Sequence, residues 1–419
     1  MQALSIISLI TMSVFGVPIF IVLGGISLLL FYFSGVDLSA VSIEMYRLAG
    51  SPTLISIPLF TVSGFLLAES NAPKRILALI DALFGWIPGG VAIVSLLVCA
   101  FFTAFTGASG VTIIALGGLI YPMLVNNNYS QKFSLGLITS SGSLGLLFPP
   151  SLPLILYGII AKVDIEKLFL AGIVPGVIII VFLSVWSVFS QKVKPQDRRK
   201  FSFVELKKAI VKARFEIPLP LLVFGGIFGG FITVTEASAL TALYVFVITV
   251  LVYKDIKLGS EFPKVIKEAM ILVGAIILIL SCALGLTSYL VDEQIPMKIV
   301  ELMKNHIHNK YEFLLYLNLF LLVVGSLMDI FSAIVIIVPI ILPIATQFGV
   351  NPIHLAIIFL TNLEIGYMTP PIGMNLFISS FRFKKSIFYL YRSTIPFLVI
   401  MLVALAVITY IPWLSLLWF

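Results

Sequence analysis

Long hydrophobic runs dominate the chain, and the places where they are interrupted organise it. Phe133–Ala161 carries no charged side chain and is long enough to cross a bilayer, yet its centre reads Gly142-Ser143-Leu144-Gly145-Leu146-Leu147-Phe148-Pro149-Pro150. Proline removes a backbone donor and clashes with the preceding turn, and the residue before it is pushed out of helical geometry. The pattern therefore predicts two half-helices joined by an unwound linker. A second copy, Gly366-Tyr367-Met368-Thr369-Pro370-Pro371-Ile372-Gly373, lies inside Ile353–Phe381. Gly145 and Gly366 stand the same distance ahead of their Pro-Pro pairs. Two interrupted spans in corresponding positions point to the binding site of a secondary transporter.

The remaining segments fall around these breaks. Leu4–Phe33 is apolar, too long for one upright span, and broken at Gly16-Val17-Pro18, so a helical hairpin is expected. Ser34–Ser51 reads as a polar loop with Asp37, Glu44 and Arg47, and Pro52–Leu67 as a span. Lys74, Arg75 and Asp81 mark an amphipathic piece on the membrane surface. Ala82–Gln131 has no charged residue and carries Thr103-Ala104-Phe105-Thr106-Gly107-Ala108-Ser109-Gly110 in its middle. This predicts a re-entrant hairpin over about 85–127, because irregular backbone within a membrane must be buried in protein or line a wet cavity. The broken span 131–161 and a plain span 168–190 complete the first half, residues 1–190. The linker 191–216 is rich in Lys and Arg, which makes it cytoplasmic, as is a second basic loop with Lys254, Lys257, Lys264 and Lys267.

The second half, 217–419, repeats the order. Ile217–Phe231 and Ala237–Tyr253 form a helix pair joined at Thr233-Val234-Thr235-Glu236, and Ala269–Val291 crosses outward. Asp292–Lys310 is polar and external. A hairpin spans about 312–348, with its tip near Gly325-Ser326-Leu327-Met328-Asp329-Ile330-Phe331-Ser332, followed by the broken span 352–381 and a last span 387–411. The basic loops place the ends of the first hairpin inside and those of the second outside. The expected fold is an all-α polytopic membrane protein made of two inverted repeats, each with a re-entrant helical hairpin and a broken transmembrane helix.

Composition agrees with a membrane chain: of 419 residues, 60% are hydrophobic and 11% charged, against roughly 25% charged in a soluble domain. Apolar runs of about 20 residues favour helices over a barrel. The apolar N-terminus lacks a basic start and reads as membrane helix rather than a signal peptide. Cys99 and Cys282 lie in separate apolar segments and match no metal or disulfide pattern. The net charge of +7 comes from loops and reports orientation, with nothing to suggest a nucleic-acid partner.

The breaks also offer chemistry. Half-helix ends expose carbonyls at one terminus and amides at the other, suited to a hard cation such as Na⁺ and to a carboxylate, respectively. A first Na⁺ site is expected where Thr103 and Thr106 face the linker at Gly145, Phe148 and Pro150. The symmetric site pairs Gly325 and Met328 with Gly366, Thr369 and Ile372. An anion would sit between the tips, near Thr106, Ser109, Ser151, Ser332 and Asn375. Glu236, Asp329 and Glu364 are the ionisable groups expected to be buried. Asp329 serves either to tune a cation site or to cap a helix, Glu236 reads as a cap, and Glu364 as either support or structure. An enzyme reading rests on Gly107-Ala108-Ser109-Gly110, a Gly-x-Ser-Gly string as in some intramembrane serine proteases. It lacks a base, since His306 and His308 fall in an external loop and His354 at the start of a span. No nucleotide-binding loop or organic-cofactor motif occurs. A non-transporting scaffold would gain nothing from broken spans.

Nearly the whole chain resembles the large membrane subunit, the M or DctM type, of tripartite ATP-independent periplasmic (TRAP) transporters. The resemblance rests on Ile87-Pro88-Gly89-Gly90, Phe148-Pro149-Pro150-Ser151 with Tyr157-Gly158, Ala171-Gly172-Ile173-Val174-Pro175-Gly176, Thr235-Glu236-Ala237, Met328-Asp329, and Thr369-Pro370-Pro371-Ile372-Gly373 with Asn375-Leu376-Phe377. It implies a bacterial inner-membrane protein of the ion-transporter-superfamily type that pairs with a small four-helix membrane subunit. It also implies cargo delivered by a periplasmic solute-binding protein. The implied activity is Na⁺-coupled, elevator-type uptake of an organic acid: a C4-dicarboxylate, a sialic acid or another sugar acid. A stand-alone Na⁺/carboxylate symporter of similar fold is the alternative within transport. One departure from the family is the first tip, Thr106-Gly107-Ala108-Ser109-Gly110-Val111-Thr112, where many relatives carry an acidic residue.

Overall fold

The computed structural model describes residues 11–12, 17–190, 201–304 and 307–419. The first arm of the expected N-terminal helix pair, residues 191–200 of the basic linker and His306 lie outside the described residues. Among the described residues there are helices and no strands, and eight helices are long and apolar enough to cross a membrane, or nine if one bent pair is counted as a span. The protein is an all-α polytopic membrane protein.

The first half opens with α1 (Ile19–Phe33), which starts directly after Pro18. The segment expected to be a polar loop instead forms α2 (Ser39–Ala49). Val41 and Leu48, seven residues apart, share one helix face and are 4% and 5% exposed. The neighbour α2 packs against lies far away in sequence, near Gly285, so the local polarity of 34–51 concealed the buried stripe. A 3₁₀ turn, Pro52–Ile55, leads into α3 (Ser56–Glu69), and α4 (Ala72–Phe84) is the expected amphipathic surface helix.

The first hairpin is α5 (Gly90–Thr106) and α6 (Ser109–Asn126). Its reversal needs Gly107, whose φ of +64° favours glycine and whose N–H donates to the Thr103 carbonyl at 2.8 Å. A Cβ there would also come 2.6 Å from Leu152 Cγ. Then come α7 (Gln131–Ser141), a 3₁₀ turn Leu144–Leu147, and α8 (Leu152–Ala161), bent by 44° at the break. The plain span is α9 (Ile165–Ser190).

Within the basic linker, residues Phe203–Lys212 form α10. Ser202 caps it, accepting from the Glu205 N–H at 3.3 Å, and Ala209 is buried where α10 packs on α4. Next are α11 (Pro218–Phe228) and α12 (Val234–Phe246), which continues as a π-helical turn, Val247–Val252. Glu236, expected to be buried, is exposed. It completes a capping box with Thr233, its carboxylate accepting from the Thr233 N–H at 2.8 Å. The remaining helices are α13 (Phe262–Asp292), α14 (Ile295–Lys304), the hairpin α15 (Lys310–Leu327) and α16 (Ile330–Gln347), the broken span α17 (Pro352–Gly366) and α18 (Met374–Phe383), then α19 (Ile387–Tyr410) and α20 (Trp413–Leu416).

Packing sorts these helices into two groups. One gathers α1, α2 and α3 around α13, with α12 against α3. The other interleaves the two halves: α6 packs on α18, α7 on α19 and α16 on α8, while α15 packs on α17 within the second half. The groups meet where α13 touches α16 and α3 touches α5.

The surface helix α4 is fastened to the first group by charge. Arg75 Nε lies 2.5 Å from Glu216 Oε1, and its Nη2 lies 2.8 Å from Asp255 Oδ2, with exposures of 13%, 1% and 9%. Its guanidinium stacks 3.8 Å from the Tyr253 ring centroid, and Asn71 donates to the same Asp255. Burial pushes the Asp255 carboxyl up, but hydrogen bonds from Arg75 and Asn71 outweigh it and hold the pKa below the usual carboxylate value. At Glu216 burial wins, and the pKa is raised despite Arg75.

Two predictions follow from these contacts. Arg75→Ala leaves two buried carboxylates without a cation and should destabilise the protein by roughly 3–5 kcal/mol. Thermal unfolding in detergent should recover when Arg75→Met is combined with Glu216→Gln and Asp255→Asn. At Gly366 an added Cβ would lie 2.6 Å from Gly325 Cα, so Gly366→Ala should cost about 1–3 kcal/mol. Gly274→Ala in α13, which meets nothing within 4 Å, should be neutral or stabilising by up to about 1 kcal/mol in the same assay.

Candidate functional site

Each broken span is pressed against the tip of the hairpin in its own half. In the first, Gly145 lies under α5 so closely that a Cβ would fall on the Ala100 carbonyl oxygen and the Ala104 nitrogen. Thr103 Oγ1 donates to the carbonyl oxygen of Gly142 at 2.8 Å and is met by Thr112 Oγ1 at 2.8 Å. Thr106 Oγ1 donates to the Ala108 carbonyl at 3.4 Å. Beyond the linker, Ser151 caps α8 and donates to the Leu146 carbonyl. The Phe148 ring lies over Gly176 of α9, where a Cβ would come 2.6 Å from it. Thr103, Thr106 and Ser151 are fully buried, and Pro149-Pro150 is cis.

The second linker, Tyr367–Gly373, is built to the same plan with different side chains. Gly366 meets Gly325 backbone to backbone. Thr369 Oγ1 donates to the Ile365 carbonyl at 2.8 Å, and the Gly373 N–H donates to the Ser326 carbonyl at 3.1 Å. Gly373 has φ +56°, and a Cβ on it would stand 2.9 Å from the Thr369 oxygen and 3.0 Å from the Tyr367 oxygen. The carbonyls of Ser326, Tyr367 and Thr369 thus crowd one glycine. The Tyr367 hydroxyl accepts the Ile330 N–H at 2.6 Å, and Tyr391 Oη donates to the Pro371 carbonyl at 2.6 Å. Pro370-Pro371 is also cis. This linker is open on one side: Ile372 is 44% exposed and Met328 is half-buried, whereas the first linker is sealed.

Both tips border one cavity of about 500 Å³. The first contributes Gly107 to Val111, the second Asp329 to Phe331, and the linker Tyr367; α13 closes the far wall with Leu272 to Ile279. Of the side chains expected near an anion, Ser109 lines this cavity and is 4% exposed. Thr106, Ser151, Ser332 and Asn375 are not on its wall. The Ser332 hydroxyl donates to the Asp329 carboxylate, and Asn375 Nδ2 donates to the Thr139 carbonyl at 3.2 Å. Asn375 Oδ1 is buried with no partner among the described residues.

Asp329 is the N-cap of α16, accepting from the Phe331 and Ser332 N–H groups at 3.0 Å each. Glu364 is fully buried, and neither carboxylate oxygen has a partner among the described residues. Next to it in α17, Asn362 Nδ2 donates to Asn318 Oδ1 at 2.6 Å. His354 is engaged at the far end of α17, with Nδ1 3.2 Å from Ser415 Oγ and Nε2 3.2 Å from the Thr409 carbonyl. Sequence reasoning missed Tyr367 and Thr112, which tie tip to linker and tip to tip-helix. Tyr367 directly follows Gly366, and that adjacency was the available signal.

A family profile described as "Tripartite ATP-independent periplasmic transporter, DctM component" matches residues 6–414. The chain is 34% identical to the C4-dicarboxylate TRAP transporter large permease protein DctM of Vibrio cholerae, over 99% of this chain and 96% of that protein. It is 34% identical to the isethionate TRAP transporter permease protein DctMQ of Oleidesulfovibrio alaskensis, covering 95% of this chain and 63% of that longer protein. It is 30% identical to the sialic acid TRAP transporter large permease protein SiaM of Vibrio cholerae, over 87% of this chain and 86% of that protein. In architecture it is similar to the crystal structure of the Alcanivorax borkumensis YdaH transporter, with a TM-score of 0.62 over 88% of this chain and 86% of the other at 12% identity. These relatives are transport permeases rather than enzymes, and the chain belongs to the tripartite ATP-independent periplasmic transporter family as a DctM component.

Proposed function

We propose that this permease carries out Na⁺-coupled secondary uptake of an organic acid across the bacterial inner membrane. The observation that carries this reading is the convergence of two hairpin tips and an unwound linker on one cavity, with hydroxyl and carbonyl oxygens gathered at each linker. Oxygen ligands without fixed charge suit a monovalent hard cation. The first Na⁺ would lie at Thr103, Thr106, Gly145, Phe148 and Pro150, and the second at Gly325, Met328, Gly366, Thr369 and Ile372. The cargo carboxylate would meet Ser109 and the first amides of α6, whose N-terminus has no side-chain cap.

The two packing groups supply a fixed body around α13 and a moving body made of hairpins and broken spans, as an elevator with inverted repeats requires. The names of the relatives, with their large and fused permeases, support a small membrane subunit and a binding protein as partners. Substrates named for relatives, C4-dicarboxylate, sialic acid and isethionate, support an organic acid as cargo.

Uptake into proteoliposomes should require an inward Na⁺ gradient, the small subunit and a matching binding protein. Equal uptake with K⁺ in place of Na⁺ would end the coupling claim, and uptake without a binding protein would favour a stand-alone symporter. Thr103→Val and Thr369→Val should each raise the Na⁺ concentration for half-maximal uptake by about tenfold, corresponding to loss of one hydrogen-bonding oxygen worth about 1.4 kcal/mol. An unchanged Na⁺ response in both would remove these ligand assignments.

A further inference from the structure

The cavity's polar side chains lie at its two hairpin tips and the second linker, and its other walls are hydrocarbon. Its polar side chains are Ser109, Asp329 and Tyr367, and no Lys, Arg or His lines it among the described residues. Two of the three are already engaged as acceptors, although the Tyr367 hydroxyl keeps its own O–H. Asp329 accepts two backbone amides and the Ser332 hydroxyl, and the Tyr367 hydroxyl accepts the Ile330 amide. Ser109 differs: it is 4% exposed, it borders the cavity, and its hydroxyl makes no hydrogen bond among the described residues. It opens α6, where the first amides are also free of a side-chain cap.

The apolar lining comes from both packing groups. Ile114, Phe331, Met374 and Ile378 stand on the hairpin and broken-span side, and Leu272 and Ile276 on the α13 side. A cargo held in about 500 Å³ of such space can satisfy one carboxylate at Ser109. A second carboxylate, or a ring of hydroxyls, would lose part of its water against these apolar side chains with little hydrogen bonding in return, and each such group should weaken binding by about tenfold or more. An aliphatic or aromatic body would instead gain from burial.

We infer that the cargo is a monocarboxylate with an apolar body, selected against dicarboxylates and polyhydroxylated acids by the Ile114–Met374–Ile276 lining. This rests on the carboxylate reading above and narrows it. The test is direct binding to the full chain in lipid nanodiscs with NaCl, by titration calorimetry, which leaves out the selectivity of any binding protein. The probes are 4-methyl-2-oxopentanoate, benzoate, succinate and gluconate.

The first two should bind at least tenfold more tightly than the last two. Met374→Gln combined with Ile114→Thr, both at exposed positions that fold should tolerate, should shrink that gap to under threefold. Ser109→Ala should weaken the monocarboxylates tenfold without changing their order. Succinate or gluconate binding as tightly as benzoate would overturn the inference and leave the carboxylate reading standing. Absence of binding by all four acids would overturn the carboxylate reading itself, and the inference with it.

Discussion

Unpaired peptide groups cannot be left in hydrocarbon, and this constraint governs the architecture. A helix satisfies its own backbone, so any break in a span must be repaid by a neighbour. Here the repayment comes from the hairpin tips. Thr103 reaches the Gly142 carbonyl, Gly373 donates to the Ser326 carbonyl, and Tyr367 accepts the first amide of α16. Contacts this close require that side chains be absent, which is why Gly145 lies under α5 and Gly366 lies on Gly325. Glycine at these positions is therefore a requirement of approach, and the prolines are what keep the intervening backbone from closing into a continuous helix.

The two linkers solve the same problem unequally. The first is sealed between α5 and α9, with Phe148 laid over Gly176 and Ser151 tying the far half-helix back to Leu146. The second is partly open, and its outer prolines are held by Tyr391 from α19. The tips differ in the same sense. Asp329 neutralises the amide end of α16, while the amide end of α6 carries only Ser109. Opposite electrostatics at two facing helix starts give the cavity a direction: one end suits an anion and the other does not.

Much of this was legible in the sequence because it is written in residues with strong backbone preferences. Gly145, Pro149-Pro150, Gly366 and Pro370-Pro371 mark both breaks, and Gly107 and Asp329 mark both tips. What stayed hidden depends on partners distant in the chain. Residues 39–49 look like a loop until α13 covers Val41 and Leu48, and α10 looks like a charged linker until α4 covers Ala209. Glu236 looks buried because apolar residues flank it, yet the capping box that holds it lies at an exposed turn. Ser332 and Asn375 sit at the right positions in the chain to face an anion, but Asp329 accepts the Ser332 hydroxyl and the Thr139 carbonyl of the other half accepts from Asn375 Nδ2. Periodicity names the helix and its ends. It does not say which of two plausible acceptors a side chain will find.

The apolar walls and the polar linkers belong together. The face that α13 turns to the cavity, Leu272, Ile276 and Ile279, is hydrocarbon and leaves no polar group there to be desolvated. The linkers keep their own polar groups off that face by pairing carbonyls and hydroxyls with the hairpins. Arg75, with its two buried carboxylates and the Tyr253 ring, fastens one end of α4 to the chain around Glu216 and Asp255, while the opposite end of α4 turns through Gly89, at φ +74°, into the hairpin. A charged anchor at one end and a glycine corner at the other make α4 the joint between the two packing groups.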